Sequence, residues 1–236
     1  MKANESKFPF IKGVDRMNKF NSYRNIVFTL STGLIFGAWE ILSKFINCDN
    51  TFFVIIIGSI SSYSFYKIVL KLVERCAIKF NFVKRFVFGR SYLDGIWVGA
   101  YIGTTNQPRY FVEYFEQDFN SLIIRSKCYY EDKKYKGEWK STNASIDEDK
   151  GELYYTYETT MQDNGFKNIG FAIFTFDRKD KMSPPNKLFG FSSDIDSATM
   201  NRAVEEKVEK GANLTDQELL EKAMEVYERN KYTILR

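Results

Sequence analysis

The 236-residue chain contains no histidine. That removes the Ser-His-Asp and Cys-His arrangements, histidine-ligated metals and the commonest general base. Its cysteines, Cys48, Cys76 and Cys128, lie far apart and form no Cys-x-x-Cys pair, so neither a disulfide framework nor a metal site is expected. Carboxylates are present at Asp94, Glu113, Glu158 and Asp177, but nothing in their spacing pairs them for acid–base work. The expectation is a protein that is not an enzyme, with no catalytic residue, metal or cofactor. What the sequence offers instead is rings: aromatic residues make up 17% of it, and most of the tyrosines follow Tyr92. Rings and nearby cations bind ligands without reacting with them.

The elements that must position these groups begin with two apolar runs, Ile26–Ile46 and Thr51–Leu72, separated only by Asn47, Cys48, Asp49 and Asn50. Each has about 20 residues, enough as a helix to cover the hydrocarbon core of a bilayer. A buried helix pair in a soluble domain would carry a polar stripe. The stretch from Phe28 to Trp39 has no charge on any face, and Phe52–Gly58 is apolar all round. The runs therefore read as a transmembrane helical hairpin. Lys2, Lys7, Lys12, Arg16, Lys19 and Arg24 precede it, and Lys71, Arg75, Lys79, Lys84, Arg85 and Arg90 follow. The turn has no cation, so both termini are expected in the cytoplasm. Glu40, with Lys44 one turn on, reads as an interfacial pair, with a pore-lining role as the alternative. Gly33 and Gly37 form a GxxxG face, suited to packing the two spans together or to self-association between chains.

The expected domains are a basic cytoplasmic tail (1–25), the hairpin with a juxtamembrane helix (26–88) and a β-barrel domain (90–236). The net charge of +4 is largely accounted for by the membrane flanks. It therefore points to anionic headgroups, not to polymeric nucleic acid. Residues 78–88 mix aromatics with cations and read as a helix along the headgroup layer, ended by Gly89.

From Asp94 the period falls to two. Trp97, Gly99, Tyr101 and Gly103 share one face of a first strand. Arg109–Glu116 and Phe119–Tyr130 follow, then Lys134–Ser141 with Tyr135, Gly137 and Trp139 inward and Lys136, Glu138 and Lys140 outward. Leu153, Tyr155, Tyr157 and Thr159 mark a fifth strand, and Phe166–Asp177 and Lys187–Ile195 a sixth and seventh. Short strands joined by hairpin loops make an antiparallel meander, which closes naturally into an up-and-down barrel of about eight strands. The tail reads as helices, Ser197–Lys210 and a second opened by the capping box Thr215-Asp216-Gln217-Glu218 and running to about Asn230. Lys231–Arg236 is the candidate eighth strand.

Two short N-terminal spans followed by a β-rich domain, with a first strand reading Gly95-Ile96-Trp97-Val98-Gly99-Ala100-Tyr101, is an unusual order. It resembles the two-transmembrane, β-strand-rich effectors of CBASS anti-phage systems. The resemblance covers the chain from Arg24 to Ile195 and rests on architecture more than on the motif. It implies a protein of the bacterial inner membrane whose cytoplasmic barrel binds a cyclic dinucleotide. Binding would then drive homo-oligomerisation, membrane disruption and cell death. No position for the C-terminal helices follows from it.

Such a ligand needs aromatic platforms for its bases and cations for its phosphates. Tyr101, Trp139, Tyr155 and Tyr157 lie on inferred inward faces, Arg109 just past a turn and Arg125 mid-strand on the outward parity of its strand. Inward rings also fill cores, and outward cations also face water. Two other functions stay open at this point. One is a membrane-anchored, lipocalin-like barrel for a lipid or other small ligand, favoured if inward cations are scarce. The other is a membrane-tethered enzyme.

Overall fold

Alternation of apolar and polar residues from Gly95 onward produces eight antiparallel strands in the computed structural model. They are β1 (Gly95–Ile102), β2 (Pro108–Gln117), β3 (Leu122–Tyr129), β4 (Tyr135–Asp147), β5 (Glu152–Met161), β6 (Lys167–Asp177), β7 (Lys187–Asp194) and β8 (Met200–Lys207). The structure describes residues 80–118, 121–162, 165, 167–180, 183–195, 200–208 and 214–235, with 28–29, 31–37, 40–41, 63–64, 66–68, 71–72 and 75. Each strand pairs with the next, and β8 returns to β1 through Trp97↔Lys207 to Tyr101↔Ala203, closing the barrel. Closure leaves no unpaired strand edge.

The closing strand is not the one expected. Residues 200–207 form β8 in place of a helix, and Lys231–Ile234 belong to a helix in place of a strand. Locally, Ala203, Val204, Glu205 and Glu206 suit a helix. Without them, however, β1 and β7 would each expose a row of unpaired backbone groups, and that tertiary demand overrides the weak local preference. The tail therefore holds a single described helix. An α-helix at Asn81–Phe88 is labelled α1, and the C-terminal helix Asp216–Ile234 is α2. The α2 helix opens with the Thr215–Glu218 capping box. Its apolar stripe, Leu219, Leu220, Ala223, Val226 and Ile234, covers the outer face of β1, β2 and β8 at Val98, Ala100, Tyr110, Val112 and Val204.

One end of the barrel is plugged by the chain that enters it. Gly89 adopts φ +49°, a left-handed conformation that glycine takes at little cost, and turns the backbone out of α1. Across the opening, the Gln117 side-chain oxygen accepts from Leu93 N at 2.7 Å, and its amide donates to Ser91 O at 3.0 Å. Trp97 Nε1–H donates to Leu93 O at 2.8 Å. Leu93, Trp97, Phe115, Ile124, Leu153 and Leu188 fill the interior behind this plug.

The chain divides into two compact units, Met1–Val87 and Phe88–Arg236. Most of the two apolar runs, and the tail 1–25, lie outside the described residues. The described positions of both runs are helical, and among the described residues no helix is long and apolar enough to cross a membrane. Phe28 meets Tyr66 edge to face at 5.8 Å. Phe36, Ile41, Tyr63 and Leu72 are each more than half exposed.

Candidate functional site

At the end opposite the plug, the turns 103–107 and 130–134, with Gln162 and Ile195, lie around a mouth. Inside it a funnel encloses a cavity of about 50 Å3. The wall is aromatic because the inward parity of β1, β2, β4, β5 and β6 places Tyr101, Phe111, Trp139, Tyr155, Tyr157 and Phe174 there. Trp139 stands 5.4 Å from Phe111 and 6.4 Å from Tyr157, and Tyr155 stacks on Phe174 at 6.1 Å with a 4° interplanar angle. Gly170 makes this wall possible. A Cβ there would fall on the Tyr157 ring, so the missing side chain is the slot in which that ring sits.

Two cations serve the mouth. Arg109, on β2, is buried at 5% exposure; it donates to Thr105 Oγ1 and Pro108 O at 2.9 Å each and lies 4.9 Å from the Tyr130 ring centre. Its Nε is buried without an acceptor. Lys136 donates to the Tyr101 hydroxyl at 3.2 Å and lines the funnel. Among the described residues neither cation is ion-paired with a carboxylate. Alternation within the strand points Lys136 outward and Tyr135 inward, and the structure reverses both. The pairing of β3 with β4 runs Tyr129↔Tyr135 and then Cys128↔Gly137, so Lys136 is an extra residue in a bulge and the parity flips. Tyr135 sits edge to face with Tyr129 at 5.9 Å.

The floor holds two carboxyls. Glu113, wholly buried, accepts at Oε1 from Trp139 Nε1–H at 2.8 Å and from the Tyr155 hydroxyl at 3.2 Å. Glu205, 1% exposed on β8, lines the cavity, and Glu113 stands behind it. Glu205 and Glu113 share a proton, Glu205 donating to the Glu113 carboxylate, and the Glu205 oxygens have no other partner among the described residues. Gly99 lets β8 and these side chains approach, since a Cβ there would meet Val204 O at 2.4 Å, Phe111 Cζ at 2.6 Å and Glu205 Cγ at 2.9 Å. Burial raises Glu113 to about 7, its hydrogen-bond donors only partly offsetting the desolvation. Burial, and then the neighbouring Glu113 charge, raise Glu205 well above the ordinary carboxylate range. Nearer the mouth, Tyr157 donates to Asp194 Oδ1 at 3.0 Å, and burial followed by that carboxylate raises its own pKa.

The structure thus brings Tyr101, Trp139, Tyr155, Tyr157 and Arg109 to one interior. Arg125 it does not: that side chain lies on the outward face, 45% exposed and paired with Glu116. Of the carboxylates weighed for catalysis, Glu158 and Asp177 are exposed on the outer face, and Asp94 accepts from Gln117 N at the plugged end. Only Glu113 enters the interior, and its partner Glu205 is hidden in the segment expected to be helical. Gly33 and Gly37 are helical and exposed, and an added Cβ at either meets no described atom within 4 Å. Among the described residues no three acidic or cysteine side chains are placed to share a metal.

Comparison of the chain with family models, curated proteins and solved structures returns no match. The site must be read from its own chemistry. Rings around a slot can stack planar groups, and a cation in the cavity wall can attract an anion.

Proposed function

We propose that this chain is a membrane-anchored receptor and effector of the CBASS anti-phage type, whose barrel binds a cyclic dinucleotide in the funnel. The observation that carries the reading is the pairing of an aromatic cavity wall with Lys136 in that wall and with Arg109 buried beside the turn 103–107, neither ion-paired with a carboxylate among the described residues. Phosphates satisfy such cations and bases satisfy such walls. The lipid alternative is disfavoured by polarity. A cavity lined by Lys136, Asp194 and Glu205 is a poor host for an acyl chain. An enzymatic reading has little to use, because Glu113, the carboxyl raised to about 7, stands behind Glu205 and is tied to Trp139 and Tyr155.

The N-terminal unit supplies the output in this reading. A hairpin turning at 47–50 places residues near 28 opposite residues near 69, and the Phe28–Tyr66 contact fits that register. Exposed apolar side chains on both runs suit contact with lipid. Gly33 and Gly37 leave an open face on which a second copy can pack. Ligand drives assembly by binding the assembled form more tightly than the dispersed one.

Crosslinking of the full chain in liposomes, with and without cyclic dinucleotides, together with release of an encapsulated dye, tests this. Ligand is expected to produce larger oligomers and leakage. Gly33→Leu with Gly37→Leu is expected to abolish both while leaving ligand affinity intact. Assembly that ignores every dinucleotide would overturn the proposal.

A further inference from the structure

The outer face of the barrel is apolar in two places. One, on β1, β2 and β8, lies under α2. The other lies at the mouth end of β6, β7 and the start of β8, where no described element covers it. Ile169 and Phe171 on β6, Ile195 just past β7 and Met200 at the head of β8 are between 40% and 64% exposed. Strand pairing makes them one patch. Ile195 N donates to Ile169 O at 2.9 Å, Ser193 stands between Phe171 and Met200, and Ile173 stands opposite Phe191. Phe171 and Phe191 meet edge to face at 6.2 Å. On the neighbouring β5 the same outward rows read Tyr154, Thr156 and Glu158, so the apolar character stops there.

The dimensions suit a protein partner. Four side chains of this size, open to that degree, leave roughly 300–450 Å2 of apolar surface in water, as much as a typical monomer shows in its largest patch. A standard interface buries about 800 Å2 on each partner and is a little over half apolar. The patch supplies the apolar part of one interface of that size.

The rim decides which partner. Glu158 stands opposite Ile169 on the β5 side, and Arg202 stands opposite Phe191 on the β8 side. Both are exposed, and neither is ion-paired among the described residues. An anionic lipid surface would match a rim of cations and repel Glu158. A rim with opposite charges at opposite corners matches a copy of itself. Turn a second barrel by 180° about a diagonal axis lying in the contact plane across β6 and β7. Each Glu158 then lies against the partner's Arg202, and each Met200 lies over the partner's Ile169 and the partner's Ile195. We infer that two copies of this chain pair through the β6–β7 faces of their barrels, in a two-fold contact closed at both ends by Glu158–Arg202 ion pairs. The inference does not depend on what the funnel binds, and the pair forms without ligand. In the proposed reading these pairs are the units that the spans join, since a chain with two different self-complementary faces can assemble beyond pairs, and a chain with one stops at two.

The test uses the full chain in liposomes without nucleotide, carrying Gly33→Leu and Gly37→Leu so that the spans are not the source of pairing. With the photo-crosslinker p-benzoylphenylalanine in place of Phe171, illumination is expected to give covalent dimers whose adducts map to residues 167–175, 189–195 or 200–204 of the second copy. The same probe in place of Glu138, outward on β4, is expected to give few. In the Phe171 probe chain, Glu158→Arg alone and Arg202→Glu alone are each expected to lower the dimer yield about 10-fold, through like charges brought together. The two together are expected to restore it, because the swapped charges match again. All of these positions are exposed, and near-ultraviolet circular dichroism checks that each variant is folded. Adducts on lipid alone, adducts on another face of the chain, or equal dimer yields from the two probes would overturn the inference. So would a double charge swap that pairs no better than either single one. Each of these results leaves ligand binding in the funnel to be judged separately.

Discussion

Glu113→Gln removes one titratable group from the barrel interior and leaves its shape. The amide oxygen can still accept from Trp139 Nε1–H and Tyr155, and the new N–H can donate toward Glu205. In the folded chain Glu113 titrates at about 7 against an ordinary value of 4.5, because burial penalises the carboxylate. The folded state therefore holds this proton more tightly than the unfolded state does. Below about pH 4.5 both states are protonated and nothing is lost. As pH rises from there through 7, the unfolded chain ionises first and stability falls. The loss is about 1.4 kcal/mol for each pH unit between those two values, or roughly 3 kcal/mol in all. The variant escapes it. At pH 8 it should be more stable than the parent by roughly 2–3 kcal/mol, about 4–12 °C in Tm for a unit of this size. At pH 5 the two should nearly coincide. Thermal unfolding of the full chain in detergent, followed by tryptophan fluorescence between pH 5 and 8.5, measures this. A Tm difference that stays flat across the range, or a variant less stable at pH 8, would refute the reasoning about the floor.

Three further outcomes follow from the same packing. Tyr157→Ala, at the wall, should weaken binding of a base-bearing ligand by about 1–3 kcal/mol in titration calorimetry while the barrel stays folded. Tyr155→Ala should instead cost about 3–5 kcal/mol of stability in denaturant unfolding, because that ring stacks on Phe174 and its hydroxyl holds Glu113. Gly170→Ala should drive the Tyr157 ring from its slot, lowering stability by about 1–3 kcal/mol and weakening ligand binding together.

Much of the barrel was legible because sheet faces follow a period of two. Trp97, Gly99 and Tyr101 on β1 and Leu153, Tyr155 and Tyr157 on β5 read correctly from alternation alone. The failures have physical causes. The inward turn of Lys136 depends on one extra residue in β4 against β3, which no pattern within β4 reveals. Residues 200–207 carry helix-forming side chains, and only the unpaired edges of β1 and β7 make them a strand. That misreading concealed Glu205, and with it the carboxyl pair. Glu113 was visible as a charge among apolar neighbours, Phe111, Val112 and Phe115, on a strand that alternates too weakly to tell its faces apart. A barrel with seven clear strands is short of its closing edge, and that shortage was the signal pointing to the tail.

The central claim is that an anionic, base-bearing ligand occupies the mouth of the barrel. Titration calorimetry of the full chain in nanodiscs with cyclic dinucleotides, for the parent and for Lys136→Ala, addresses it most directly. Saturable binding is predicted in the parent, with Lys136→Ala weakening it about 10- to 100-fold, the worth of one hydrogen bond to a charged group. Tm in the absence of ligand should hardly change, since among the described residues the Lys136 ammonium bonds only the Tyr101 hydroxyl. Binding of equal strength in the parent and in Lys136→Ala, or binding of fatty acid with no dinucleotide bound, would contradict the account.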